Sequence, residues 1–242
     1  MDNFAARLKK VQEKIAAAAS RAKRDPAEIE LIAVSKTQTV ENIREAMRAG
    51  IHTFGENKVQ EAARKIAELE RGSWHLIGHL QINKAKVAVQ IFDSIDSVDR
   101  LELAQEIDTR AETVGKTQNV LLQVNVAGES TKFGCSPDAA RSLAESINNL
   151  PRLCLRGLMT IAPYAEDPEK SRPHFARLRE LRDTLERDSG LALPDLSMGM
   201  SGDFAVAIEE GSTCVRIGTA LFGERVKLKH RRPEDPSFTE ST

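Results

Sequence analysis

Lys36 closes the apolar run LIAVS that starts at Leu31. A lysine at a strand end is ordinarily a solvated charge. Behind a buried run, however, its side chain is aimed at the mouth of whatever the strands enclose. There, desolvation or a nearby cation can strip its proton and leave an amine nucleophilic toward carbonyls. That suggests imine chemistry without naming the carbonyl. Two further stretches attract attention. In SMGMSGD, residues 197–203, Gly199 and Gly202 allow tight, positive-φ backbone, Ser201 adds a hydroxyl, and Asp203 is placed to cap the following short helix. In RIGTALFGE, residues 216–224, Gly218 and Thr219 come directly after a strand-like run. Either loop alone reads as a plain turn with a cap, but together they make a donor-rich pair suited to phosphate. An imine lysine and a phosphate cradle on one face imply a sugar-phosphate substrate or a phosphorylated aldehyde cofactor.

Other polar groups carry less. His75 and His79 stand four apart, but along a strand that spacing separates them by roughly 13 Å, too far to chelate one ion. With no carboxylate or cysteine pattern beside them, no metal site is expected. Cys135, Cys154 and Cys214 form no CxxC pair and read as reduced thiols. The charge-rich run 177–187 reads as the solvated face of a long helix.

The elements that must position Lys36 and the two loops alternate regularly. Residues 4–19 keep a helical apolar spacing that ends at Asp25-Pro26. Strand-like runs follow at 31–35, 52–55, 74–78, 92–95, 120–126, 153–161, 196–198 and 214–217. Several are continuous apolar runs, as parallel strands buried on both faces require. Amphipathic stretches at 40–49, 58–69, 83–90, 100–113, 137–148, 172–188 and 204–210 lie between them. Within 40–49, Val40, Ile43, Ala46 and Met47 share one face, while Glu41, Arg44, Glu45 and Arg48 fill the other. Eight strands with seven intervening helices predict an α/β fold, a single (β/α)8 TIM-like barrel with an extra N-terminal helix. The barrel is expected over residues 1–225, with 226–242 a flexible C-terminal tail. Chemistry then belongs at the C-terminal ends of the strands. Glu56-Asn57, His79, Asn125, Met159-Thr160 and the loop with Tyr164 join Lys36 and the two glycine-bearing loops there.

A net charge of −1 creates no field that would favour nucleic acid or an anionic membrane, and 4% aromatic content offers no base-stacking platform. Lys9, Lys10, Glu13 and Lys14 interrupt the N-terminal apolar residues, so no signal peptide is expected. No apolar run reaches the ~18 residues of a membrane span. A cytoplasmic location is expected.

The segments AVSKTQ, FGENKVQE, WHLIGHLQINK, GLMTIAP, LSMGMSGDFAVAIEEGST and VRIGTALFGER occur in that order between residues 33 and 225. In them the chain resembles the pyridoxal-phosphate homeostasis protein family, single-barrel relatives of the alanine racemase N-terminal domain. The resemblance implies pyridoxal 5′-phosphate as cofactor, held as a Schiff base on Lys36. It implies phosphate contacts from Ser201, Gly202, Gly218 and Thr219, and Arg216 facing the pyridine nitrogen. A guanidinium there should keep that nitrogen unprotonated, which weakens the ring as an electron sink. Asn57 is an implied contact to the ring or its hydroxyl. The chain departs from some relatives at Gln38, where they carry lysine, and at Lys132-Phe133-Gly134, where they carry small residues. These departures bear on secondary lysines, not on the main site.

Two classes of function follow. In one, the protein is a monomeric carrier or buffer in vitamin B6 homeostasis, with apo-enzymes as transient recipients. In the other it is an amino-acid racemase. Racemisation needs two bases on opposite faces of the substrate Cα. In alanine racemase the second is a tyrosine from a partner subunit's further domain, for which this length leaves no room. The sole tyrosine, Tyr164, is expected to be a surface residue. The carrier is therefore the expected reading, with a Schiff-base aldolase a distant third.

Overall fold

The structure is a computed structural model that describes residues 3–69 and 72–223; the expected tail, 226–242, lies outside them. Eight parallel strands form a closed barrel in sequential order: β1 Glu30–Val34, β2 Thr53–Glu56, β3 Ser73–Leu76, β4 Ser94–Val98, β5 Gln118–Gln123, β6 Leu153–Met159, β7 Asp195–Met200 and β8 Cys214–Ile217. The helices between them are α2 Val40–Arg48, α3 Val59–Ile66, α4 Ala85–Ile91, α5 Leu101–Thr113, α6 Pro137–Asn148, α7 Arg172–Ser189 and α8 Phe204–Glu209. The barrel is closed by β8 pairing with β1, in a register that sets Ile32 beside Arg216 and Ala33 beside Ile217.

The expected extra helix is α1, Phe4–Arg21, capped by the Asn3 side chain, which accepts from the Ala6 N–H. Its buried stripe of Phe4, Leu8, Val11 and Ile15 faces α8 and a short helix α9, Thr219–Phe222. The sequence periodicity did not anticipate α9, because a single turn carries no period. The fifth strand starts two residues earlier than expected and gives way at Val124, which pairs with Cys135 of its own connection. The third to fifth helical stretches match to within two or three residues, a turn at Ile82–Lys84 taking the start of the fourth. Burial pushes the Cys135 thiol up to about 12, with Asp99 adding to it, so this cysteine is inert at neutral pH. No helix among the described residues is long and apolar enough to cross a membrane.

The N-terminal end of the barrel, opposite the mouth, holds a cavity of about 200 Å³ lined by Glu30, His75, Asp96 and Cys214 among others. Burial opposes the charge on His75, but Asp96, 3.0 Å from Nδ1, outweighs it and raises the imidazole pKa above its ordinary 6.5. A raised pKa in the folded state stabilises most fully below about pH 6.5. That contribution is expected to fade as pH rises through the folded value. Urea midpoints measured across pH 5–9 test this, and His75→Gln should flatten the slope. A midpoint that climbs on the alkaline side through His75 would contradict it.

Candidate active site at the barrel mouth

The implied site residues collect on one half of the rim. Lys36 is half-buried, two residues beyond the last paired position of β1, Val34, in a tight turn where the Gln38 N–H donates to the Ser35 carbonyl at 3.0 Å. Asn57 follows β2, the neighbouring strand; its Oδ1 is buried with no partner. On the other side of β1 stands β8, carrying Arg216, with Gly218 and Thr219 just past its end. A Cβ placed on Gly218 would lie 3.5 Å from the Val34 side chain, so β1 and the loop after β8 are in van der Waals reach. The loop after β7 completes the arc with Ser201 and Gly202. β7, β8, β1 and β2 are consecutive round the barrel, so Val34 and Gly218, 184 positions apart in the chain, become neighbours.

The two glycine-bearing loops meet at one atom. The backbone N–H groups of Gly218 and Ala220 both point at Ser201 Oγ, each at 3.3 Å. These are long bonds to a neutral acceptor, and a charged oxygen would draw the same donors more strongly. Gly199 has φ +93, and a Cβ there would sit 2.6 Å from that of Ala207, so only glycine fits. Gly202 is different from expectation: its φ is not positive, and a Cβ on it would meet nothing within 4 Å. It leaves open space beside Ser201. Asp203 also departs from expectation. It stands at the N-cap of α8 but makes no side-chain cap there; its Oδ1 accepts from the Met200 N–H at 2.7 Å and closes the β7–α8 turn from within.

Arg216 lies inside the barrel, 3% exposed, and donates to Ser197 Oγ at 2.6 Å and to the Thr160 carbonyl at 2.8 Å. Its guanidinium thus spans from β8 across β7 to the end of β6. Burial pulls its pKa down from the ordinary value, against the opposing charges of nearby groups, yet a guanidinium stays protonated in proteins. Ser197 and Thr160 were not singled out as its partners by the sequence; Thr160 contributes a carbonyl, which no residue type advertises.

The remaining strand-end residues have other tasks. Asn125 holds its own loop, donating to the carbonyls of Glu129 and Lys132 and accepting from the Gly128 N–H. The His79 ring stacks on Phe133, centroids 3.8 Å apart and 12° between planes. Its Nδ1 is 3.6 Å from Asp99 Oδ2, too long for a hydrogen bond. Tyr164 is 92% exposed in the loop after β6. Gly78, missed by the sequence reading, packs where a Cβ would lie 2.4 Å from the Asn57 carbonyl oxygen and 2.7 Å from its Cα. Backbone on that side cannot yield cheaply. Gly78→Ala is expected to cost about 1–3 kcal/mol and to push Asn57 out of place. Unfolding by urea reads the first effect; an unchanged midpoint would show that the mouth absorbs the methyl.

Comparisons with known proteins agree with this fold. The family described as alanine racemase, N-terminal domain, matches residues 6–226. The pyridoxal phosphate homeostasis protein of Aquifex aeolicus is 49% identical over 225 residues, covering 92% of this chain and 99% of that protein. That of Pseudomonas aeruginosa is 47% identical over 227 residues, covering 93% and 97%. The solved structure of PipY from Synechococcus elongatus with PLP bound superposes with a TM-score of 0.77 at 41% identity, covering 86% of this chain and 100% of that one. By its sequence over nearly its whole length and by its fold, this chain belongs to the pyridoxal phosphate homeostasis protein family.

Proposed function

We propose that this protein binds pyridoxal 5′-phosphate as a Schiff base on Lys36 and serves as an intracellular carrier or buffer of that cofactor. The observation that carries the reading is the convergence of the Gly218 and Ala220 N–H groups on Ser201 Oγ, across the β8–β1 seam from Lys36. The donor set fits the group. Two backbone N–H groups, the Ser201 hydroxyl, the Thr219 hydroxyl and the open side of Gly202 suit a phosphate dianion. The unpartnered Asn57 Oδ1 suits a donor on the ring, and Arg216 supplies a buried cation within the barrel. The bound cofactor supplies an aldehyde that condenses with an amine and, in enzymes, an electron sink.

The chain's own residues determine how much of that chemistry is used. Lys36 would hold the cofactor by its aldehyde through Nζ. Ser201 and the N–H groups beside it hold the phosphate and so fix which way the aldehyde faces. Arg216, already committed to Ser197 and Thr160, would face the cofactor with positive charge and disfavour a further positive charge beside it. Chemistry that needs the cofactor as an electron sink would then be handicapped, which favours holding over turnover. The exposure of Tyr164, the sole tyrosine, argues against its serving as the second base of a racemase. Transient recipients are PLP-dependent apo-enzymes in the cytoplasm, and a single copy of the chain suffices for every contact above.

The test is an absorption spectrum of the protein titrated with pyridoxal 5′-phosphate. An imine band that saturates at one equivalent supports the reading; its absence removes it. Exchange of amino-acid α-protons in deuterated water separates carrier from racemase, and exchange at an enzymic rate would overturn the carrier.

A further inference from the structure

On the outer side of β1 and β2, away from the barrel interior, lies a buried charged cluster that the cofactor contacts do not use. Gly55 faces inward, since a Cβ on it would meet Ile32 and Ile77. The next residue, Glu56, therefore faces the opposite way, toward α3, and is fully buried. Lys65 of α3 is also buried, at 7% exposure. Its Nζ donates to Glu56 Oε1, to Glu61 Oε1 and to the Ser35 carbonyl, each at 2.7 Å. Three acceptors use all three ammonium protons. Ser35 Oγ donates to Glu56 Oε1 at 2.7 Å, and the Thr37 N–H donates to Glu61 Oε1 at 2.6 Å.

The cluster therefore grips the chain immediately before and immediately after Lys36. Ser35 is held by its carbonyl and its hydroxyl, Thr37 by its amide. Between them the backbone takes a course it would not choose, because Thr37, a β-branched residue, sits at φ +65. Such a conformation persists only where the surroundings over-determine it. Lysine is seldom buried, and an apolar residue of similar shape usually stabilises a core at least as well as a buried ion pair. A requirement beyond stability accounts for its presence here.

We infer that Lys65, with Glu56 and Glu61, is a positioning device for Lys36, fixing the 35–37 turn so that the Lys36 amine meets the aldehyde of the phosphate-anchored cofactor. The inference rests on the Schiff-base reading above. Lys65 acts through Ser35 and Thr37, from behind the strand. The glutamates show the coupling. Burial pushes the Glu56 carboxyl up, against its bonds to Lys65 and Ser35. For Glu61 burial pushes the same way, but Lys65 and the Thr37 N–H outweigh it and hold that carboxyl low.

The experiment compares wild type with Lys65→Met, using two ligands. Pyridoxal 5′-phosphate reads the covalent step by the rate of imine formation. 4′-Deoxypyridoxine 5′-phosphate, which lacks the aldehyde, reads the non-covalent pocket. A misplacement of about 1 Å costs on the order of 100-fold in a positioned reaction. Imine formation is therefore expected to slow by about 10- to 100-fold, with affinity for the deoxy analogue kept within about twofold. Should Lys65→Met fold poorly because two acids lose their cation, Lys65→Met combined with Glu56→Gln removes the buried charge and is read the same way. Imine formation at the wild-type rate overturns the inference alone. Equal losses for both ligands also overturn it, since they mark a merely structural role. A wild type that forms no imine overturns the Schiff-base reading and this inference with it.

Discussion

Lys36→Ala is expected to abolish the imine absorption band completely while leaving the protein folded. The side chain is half-buried at the end of β1, and the turn is held through Ser35 and Thr37 by Glu56, Glu61 and Lys65. The change in stability should be about 1 kcal/mol or less. The proposed phosphate donors at Ser201, Gly218 and Ala220 are untouched, so the variant should still take up pyridoxal 5′-phosphate weakly and reversibly. Borohydride reduction followed by peptide mapping makes the comparison sharp: wild type should carry the label on the Lys36 peptide and the variant nowhere. The same band in both proteins would show that another lysine forms the imine, and Lys58 and Lys84, which border a second depression on the mouth side with Asn57 and His79, would be the next to test.

Arg216→Leu is expected to have the second large effect, and on two quantities at once. In the cofactor-free protein it orphans the Thr160 carbonyl and removes the donor to Ser197 Oγ, both inside the barrel. A hydrogen bond to a charged donor is worth about 1.5–3 kcal/mol, and an unsatisfied buried acceptor costs about 1–3 kcal/mol. Because Ser197 can turn its hydroxyl elsewhere, a total loss of about 3 kcal/mol is the sensible expectation. With cofactor, loss of the cation proposed to face the ring should weaken binding by about tenfold, equivalent to ~1.4 kcal/mol. Arg216→Lys keeps the charge but not the two-pronged reach to β7 and β6, so it should recover more of the binding than of the stability. Urea unfolding and fluorescence titration read the two separately. Full stability in Arg216→Leu would mean the interior refills without it.

Much of the architecture was legible in the residues. The continuous apolar runs marked the strands because parallel strands covered on both faces have no polar side to show. The amphipathic runs between them, such as Val40, Ile43 and Met47 against Glu41 and Arg44, marked the covering helices. Lys36 after LIAVS and the glycines of the last two loops were visible for the same local reason: strand ends and tight turns write themselves in residue type. What misled was also local. Asp203 looks like a helix cap because its position is right, but its carboxylate found the nearer Met200 N–H. Gly202 looks like a second forced glycine, but only Gly199 meets another atom.

The sequence by itself determined the eight strands and the helices between them, to within a few residues at their ends, and set Lys36 and the two glycine-bearing loops at one end of the barrel. Closure of the sheet decided the rest. Pairing of β8 with β1 sets Arg216 beside Ile32 and brings the loops after β7 and β8 against the strand that ends at Lys36. No periodicity in the chain encodes that contact, since it joins the first strand to the last and depends on the twist and register of all eight. Burial decided what Lys65 does. One lysine among many in the sequence becomes, once α3 packs against β1 and β2, a buried cation whose three protons meet Glu56, Glu61 and the Ser35 carbonyl.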